Sequence, residues 1–171
     1  MSPTAFRAPV ATGRSAVIVS LAAAAALFGC RGPGLRRGDP VPHPTDYRRD
    51  YHVKSMVIEP GHPLYDAFGG IHHVYANELA RAGLRTGDYA DGAVFSFDLL
   101  ATVADGNAIT EGARKVLGVM HKDRDAFPDT GGWGFAGFGP DGRDVVTDMQ
   151  SCFGCHAAQK DRGYVFSTSR P

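Results

Sequence analysis

Close to its C-terminal end the chain reads SCFGCHAAQKDRGYVF over residues 151–166, and Cys152, Cys155 and His156 stand there in the spacing C-x-x-C-H. Two thiols and an imidazole on one short turn serve three chemistries. They can attach haem c, with the thiols adding across the two vinyl groups and the imidazole binding iron; form a redox dithiol; or supply part of a zinc site. Each demands a different fold and compartment around it, so the remainder of the chain discriminates among them.

Residues 1–15 hold Arg7 and Arg14 and no acidic residue, and AVIVSLAAAAALFG then runs apolar from Ala16 to Gly29. This is the charge order and length of an export signal, assigned to residues 1–29, and the run is short for a permanent membrane helix. The signal ends in LFGC, which resembles a bacterial lipobox with Cys30 as the lipidated first residue of the mature protein; the alternative is ordinary cleavage nearby. Lipid on Cys30 would tether a soluble domain to a membrane surface in the periplasm.

Of the three cysteines, a lipidated Cys30 leaves Cys152 and Cys155 as a pair belonging to one motif. A thioredoxin-like dithiol belongs near the start of a βαβ unit, whereas this motif follows the strand-rich region. Structural zinc needs a second Cys/His pair, which the cysteine count does not supply unless scattered histidines complete it. In an exported chain the motif therefore reads as one covalently bound haem c, with Cys152 and Cys155 forming the thioethers and His156 the iron ligand. The first 29 residues take two of the 18 basic residues and none of the 18 acidic ones, leaving 16 against 18. Such a balance excludes a nucleic-acid surface.

Residues 30–50, including RGPGLRRGDPVPHPTD, are rich in Gly, Pro and Arg without apolar periodicity and predict a flexible tether. One domain then spans 51–171. Within it, IHHVYANELARAG (71–83) places Ile71, Val74, Tyr75 and Leu79 on one helical face, with Gly83 as a stop. GAVFSFDLLATV (92–103) alternates as a strand, DGN (105–107) is a turn, and KVLGVMHK (115–122) pairs back. GGWGFAGFGPDG (131–142) is a glycine-rich strand and turn, Thr147 caps the helix bearing the cysteines, and GYVFS (163–167) is a short closing strand. The expected class is α+β: mainly an antiparallel sheet with a few helices.

The sixth iron position separates electron carriers from ligand-binding haems. Met56, Met120, Met149, His43, His52, His62, His72, His73 and His121 are the candidates. Met149 shares a helix with His156 and cannot reach the opposite haem face, Met120 and His121 alternate on a strand, and His43 lies in the tether. No strong sixth ligand emerges, which favours an open distal site. Phe95 and Phe97 project from one strand face and either roof the haem or form sheet core. Trp133 either lines the pocket or packs.

In order, GGIHHVYANELA, YADGAVFSFDLL, VLGVMHKD, TGGWGFAGF, CFGCH and YVFS resemble the cytochrome P-460 family, which includes the cytochromes c′-beta, over roughly residues 56–168. The resemblance implies a mainly antiparallel, usually homodimeric domain whose c-type haem is five-coordinate, with His156 below the iron. It further implies one of two activities. Cytochrome P-460 proper oxidises hydroxylamine and handles nitric oxide through a lysine cross-linked to the macrocycle, whereas the c′-beta type carries distal phenylalanines and binds nitric oxide or carbon monoxide. Here Phe97 stands near the expected lysine position, no lysine occurs from 55 to 114, and Lys122 sits in a separate motif, read as structural or as backing the residues around the haem. The expected function is an exported cytochrome that binds nitric oxide or a similar small ligand. The alternatives are an oxidoreductase of hydroxylamine or nitric oxide and a periplasmic electron carrier with a partner protein.

Overall fold

The computed structural model describes residues 34–146 and 148–169. The expected signal over 1–29, Cys30 and the Thr147 cap lie outside the described residues. Among the described residues no helix is long and apolar enough to cross a membrane.

Five strands form one antiparallel sheet in chain order: β1 (Tyr51–Ile58), β2 (Gly70–Ala76), β3 (Val94–Asp105), β4 (Ala108–Lys122) and β5 (Trp133–Phe138). Short helices α1 (Tyr65–Phe68) and α2 (Glu78–Gly83) fill the first two connections, and α3 (Met149–His156) follows the sheet. The strand patterns in 92–103 and 115–122 are borne out, joined by a turn at Gly106 and extended into a long hairpin. The alternation of Phe95, Phe97 and Leu99 against Ser96 and Asp98 sends the two sets to opposite faces.

The helix expected over 71–83 is instead a strand and then a helix. IHHVYA has β-branched and aromatic residues, and His72, Val74 and Ala76 alternate into the core as β2. Gly70 (φ 133°) starts the strand because an added Cβ there would lie 2.2 Å from the Leu100 carbonyl oxygen. Asn77 ends it: its Oδ1 accepts from Ala80 N and Val94 N, capping α2 and tying it to β3. The closing strand expected at 163–167 is absent too. Gly163 (φ 64°) and Tyr164 (φ 69°) both take the left-handed conformation, which cannot continue a strand. At α3 the cap is Asp148, whose carboxylate accepts from Gln150 N.

Each sheet face carries its own core. One packs Val53, Val74, Ala76, Phe95, Trp133 and Phe135 against α3 and the segment after it. The other packs Leu117, Val119, Ala136 and Phe138 against Val41 and Tyr47. The described part of the expected tether is thus docked: Leu35 N donates to Asp123 Oδ2 (3.0 Å), and Val41 is buried beside Phe127 and Phe138. Gly134 makes room for it, since a Cβ there would lie 2.5 Å from both Val41 and Phe127.

Candidate haem site

The C-x-x-C-H residues occupy the second half of α3. Cys152, three residues before Cys155, is half-buried against the first core, and Cys155 is exposed. Neither is in a disulfide. Burial pushes the Cys152 thiol above its ordinary range, with the Asp148 carboxylate adding to the effect. His156 ends the helix with its ring 5.0 Å from those of Phe135 and Phe166. Its Nδ1 donates to the Tyr164 carbonyl at 2.8 Å, which leaves Nε2 as the nitrogen with a free lone pair. Burial holds the imidazole below its ordinary pKa, and the carbonyl bond opposes that only in part.

A dithiol of the thioredoxin kind would sit in a βαβ unit, and here every strand pair is antiparallel. Among the described residues there is no group of three or more His, Cys, Asp or Glu able to hold a metal ion, so zinc at Cys152 and Cys155 lacks its remaining ligands. The donor set fits haem c: two free thiols one helical turn apart and an imidazole with Nδ1 committed. The face beyond them is also apolar, with Phe97, Met120, Met149 and Phe153 packed on its core only in part.

Phe95 and Phe97 share this face but differ in setting. Phe95 is buried core, its ring 5.6 Å from Tyr89 and 6.1 Å from Trp133. Phe97 is half-buried, 4.6 Å from the His72 ring and 5.9 Å edge-on from Phe68, which is itself 40% exposed. Phe68 thus joins Phe97 as the second exposed ring of the face. Two bonds pin its short helix to the sheet: His72 Nε2 donates to Phe68 O (2.5 Å), and Lys115 Nζ donates to Gly69 O (2.8 Å). His72 is 2% exposed, burial keeps it below its ordinary pKa, and its Nδ1 has no hydrogen-bond partner.

Other candidates separate by face. His52 and His73 both bond Ser55 Oγ on the opposite face of β1 and β2, and His121 alternates with Met120 to that side. His43 meets the Phe138 ring edge-on there, 4.8 Å between centroids. Met120 remains on the haem side, paired with Phe95 and Phe135. Lys122 is buried, bonded through Nζ to Gly131 O (2.7 Å) and lying 5.1 Å over the Trp133 ring, which is the structural role expected of it. Lys54, immediately before the lysine-free stretch 55–114, is different. It pairs with Val74, which pairs with Phe97, and its charge helps lower the pKa of His72.

Asp98, next to Phe97 but on the opposite face, is fully buried in a charge network. It accepts from Tyr47 Oη (2.7 Å), Arg48 Nη2 (2.7 Å) and Arg114 Nε (2.8 Å). Burial alone would raise its pKa, but these donors outweigh burial and hold the carboxyl below its ordinary value.

A family model described as cytochrome P460 matches residues 44–167. No curated protein matches the chain.

Proposed function

The chain belongs to the cytochrome P460 family and is a haem-binding cytochrome, and we propose that it is an exported c-type cytochrome holding one five-coordinate haem that binds nitric oxide or a similar small ligand. Cys152 and Cys155 would carry the thioethers and His156 Nε2 the iron. The observation that carries the reading is the His156 Nδ1 bond to Tyr164 O, which fixes the tautomer a proximal ligand needs. Bound there, the haem supplies a redox-active iron with one open coordination position. Phe97 and Phe68, the rings on that side, offer no donor to a bound ligand, which favours nitric oxide or carbon monoxide over dioxygen. Export, a lipid on Cys30, a periplasmic membrane surface and a homodimer complete the proposal.

Absorption spectra of the purified holoprotein, oxidised and reduced, with and without nitric oxide, test it. A high-spin spectrum that changes on adding nitric oxide is expected. A six-coordinate low-spin spectrum indifferent to it would refute this reading and favour the electron carrier. Lys54 supports a second reading, an oxidoreductase of hydroxylamine or nitric oxide with a lysine bonded to the macrocycle, because it shares the sheet row of Phe97. Peptide mapping decides between the two: a haem mass on the Lys54 peptide supports the second, and linkage at Cys152 and Cys155 alone supports the first.

A further inference from the structure

The TGGW stretch has no role in the binding site, yet Gly131 and Trp133 both contact the turn that holds His156. Trp133 is fully buried, and its Nε1 donates to the Gly163 carbonyl at 2.9 Å. The next carbonyl along, Tyr164 O, is the one that accepts from His156 Nδ1. These carbonyls belong to two successive left-handed residues, and at Tyr164 that conformation costs roughly 1–2 kcal/mol. External contacts must therefore hold the turn. Tyr164 N donates to Gln159 O at 2.8 Å, and the Tyr164 ring lies on Gly131, where an added Cβ would sit 2.4 Å from it. Gly131 O is held by Lys122 Nζ, and Thr130 Oγ1 donates to Trp133 O at 2.6 Å.

We propose that Trp133 is a positioning residue for His156: its indole N–H fixes the Gly163–Tyr164 turn, and the turn's second carbonyl fixes the plane and basicity of the imidazole. The proposal rests on the reading of His156 as the iron ligand. Packing alone, against Tyr89 and Phe95, would be served by any large ring, whereas the bond to Gly163 needs the indole nitrogen. Groups that orient a ligating histidine govern the strength of its metal bond, and losing one typically costs 10–100-fold in affinity or activity.

Trp133→Phe in the haem-loaded protein isolates the donor. Resonance Raman spectra of the ferrous, ligand-free form report the iron–histidine stretch, and stopped-flow absorption reports how fast the histidine bond is lost on adding nitric oxide. The variant should shift the band downward and speed that loss by about tenfold or more. Leu117→Ala, which hollows the core of the other face, should lower the melting temperature and leave the band unchanged. A wild-type band in Trp133→Phe, or an equal shift in Leu117→Ala, would overturn the proposal. Should Trp133→Phe yield no folded protein, Gly131→Ala displaces the Tyr164 ring with the indole intact; the same downshift is expected, and an unshifted band overturns the proposal equally. A wild-type protein without any iron–histidine band would instead refute the haem reading beneath it.

Discussion

Replacing Asp98 by Asn removes one charge from the best-connected buried group and mimics its protonated form. The carboxylate accepts from Tyr47, from both Nε and Nη2 of Arg48 and from Arg114, and its side chain is 0% exposed. Removing one partner of a buried pair costs about 3–5 kcal/mol. Here the guanidinium partners are 44% and 31% exposed, so they can turn toward water, which places the loss near the lower end, about 3 kcal/mol. For a domain of this size that is a fall in melting temperature of about 10 °C. Because the folded carboxyl is held below its ordinary pKa, its stabilisation is present above about pH 3.9 and lost as pH falls through the lowered folded value. Thermal melts of both proteins by circular dichroism should differ most at neutral pH and converge in acid. Nitric oxide affinity should be unchanged, since Asp98 faces away from the haem side. A loss under about 1 kcal/mol at pH 7, below even the lower bound for a broken buried pair, refutes the energetic argument. A changed ligand affinity in a stable variant refutes the assignment of Asp98 to structure.

His72→Leu removes the Nε2 bond that pins Phe68 and should raise the association rate of nitric oxide, measured by stopped flow; an unchanged rate would separate Phe68 from ligand access. His72 is buried and His121 half-buried, and desolvation lowers the pKa of both, so the unfolded chain takes up protons they refuse. Stability should therefore fall as pH drops below about 6.5, and less steeply in His72→Leu, in denaturant titrations across that range. Gly134→Ala overpacks Val41 and Phe127 at a cost of about 1–3 kcal/mol, read from urea melts, with release of the 34–46 segment visible as faster proteolysis.

Alternation made β3 legible in the sequence, because opposite strand faces write a period of two, whereas β4 was read from the turn before it and β5 from its glycines and aromatics; helical periodicity was the weaker guide. It misled at 71–83, where a seven-residue strand and a six-residue helix meet at Asn77 and their combined apolar positions imitate a single helical stripe. GYVFS failed for another reason: its composition suits a strand, but Gly163 and Tyr164 are turned left-handed by contacts with Trp133, Gly131 and Gln159, all remote in sequence or hidden in backbone. The C-x-x-C-H candidates were legible because thioether chemistry would demand a fixed local spacing. Their support was not, because a backbone carbonyl carries no residue signature. Phe95 and Phe97 share a pattern and differ only in what β2 and β5 bring beside them.

The two sheet faces assign the chain's titratable groups to different tasks. The charged cluster of Tyr47, Arg48, Asp98 and Arg114 binds the N-terminal segment to one face, and the thiols and His156 stand on the other. On that second face the row Lys54, Val74, Phe97, Gly118 and Gly137 crosses the whole sheet. Its two glycines keep the β4 and β5 end low, with Phe97 leaning over Gly118 at ordinary contact distance, while Lys54 supplies the only charge in the row. Replacing Lys54 by Met keeps the chain length and removes the nucleophile. If the ligand-binding reading holds, Lys54→Met keeps the same spectrum and the same nitric oxide affinity. If the oxidoreductase reading holds, the variant loses both the cross-linked spectrum and turnover of hydroxylamine. One substitution at the end of one sheet row thus separates two chemistries that share every residue of the C-x-x-C-H motif.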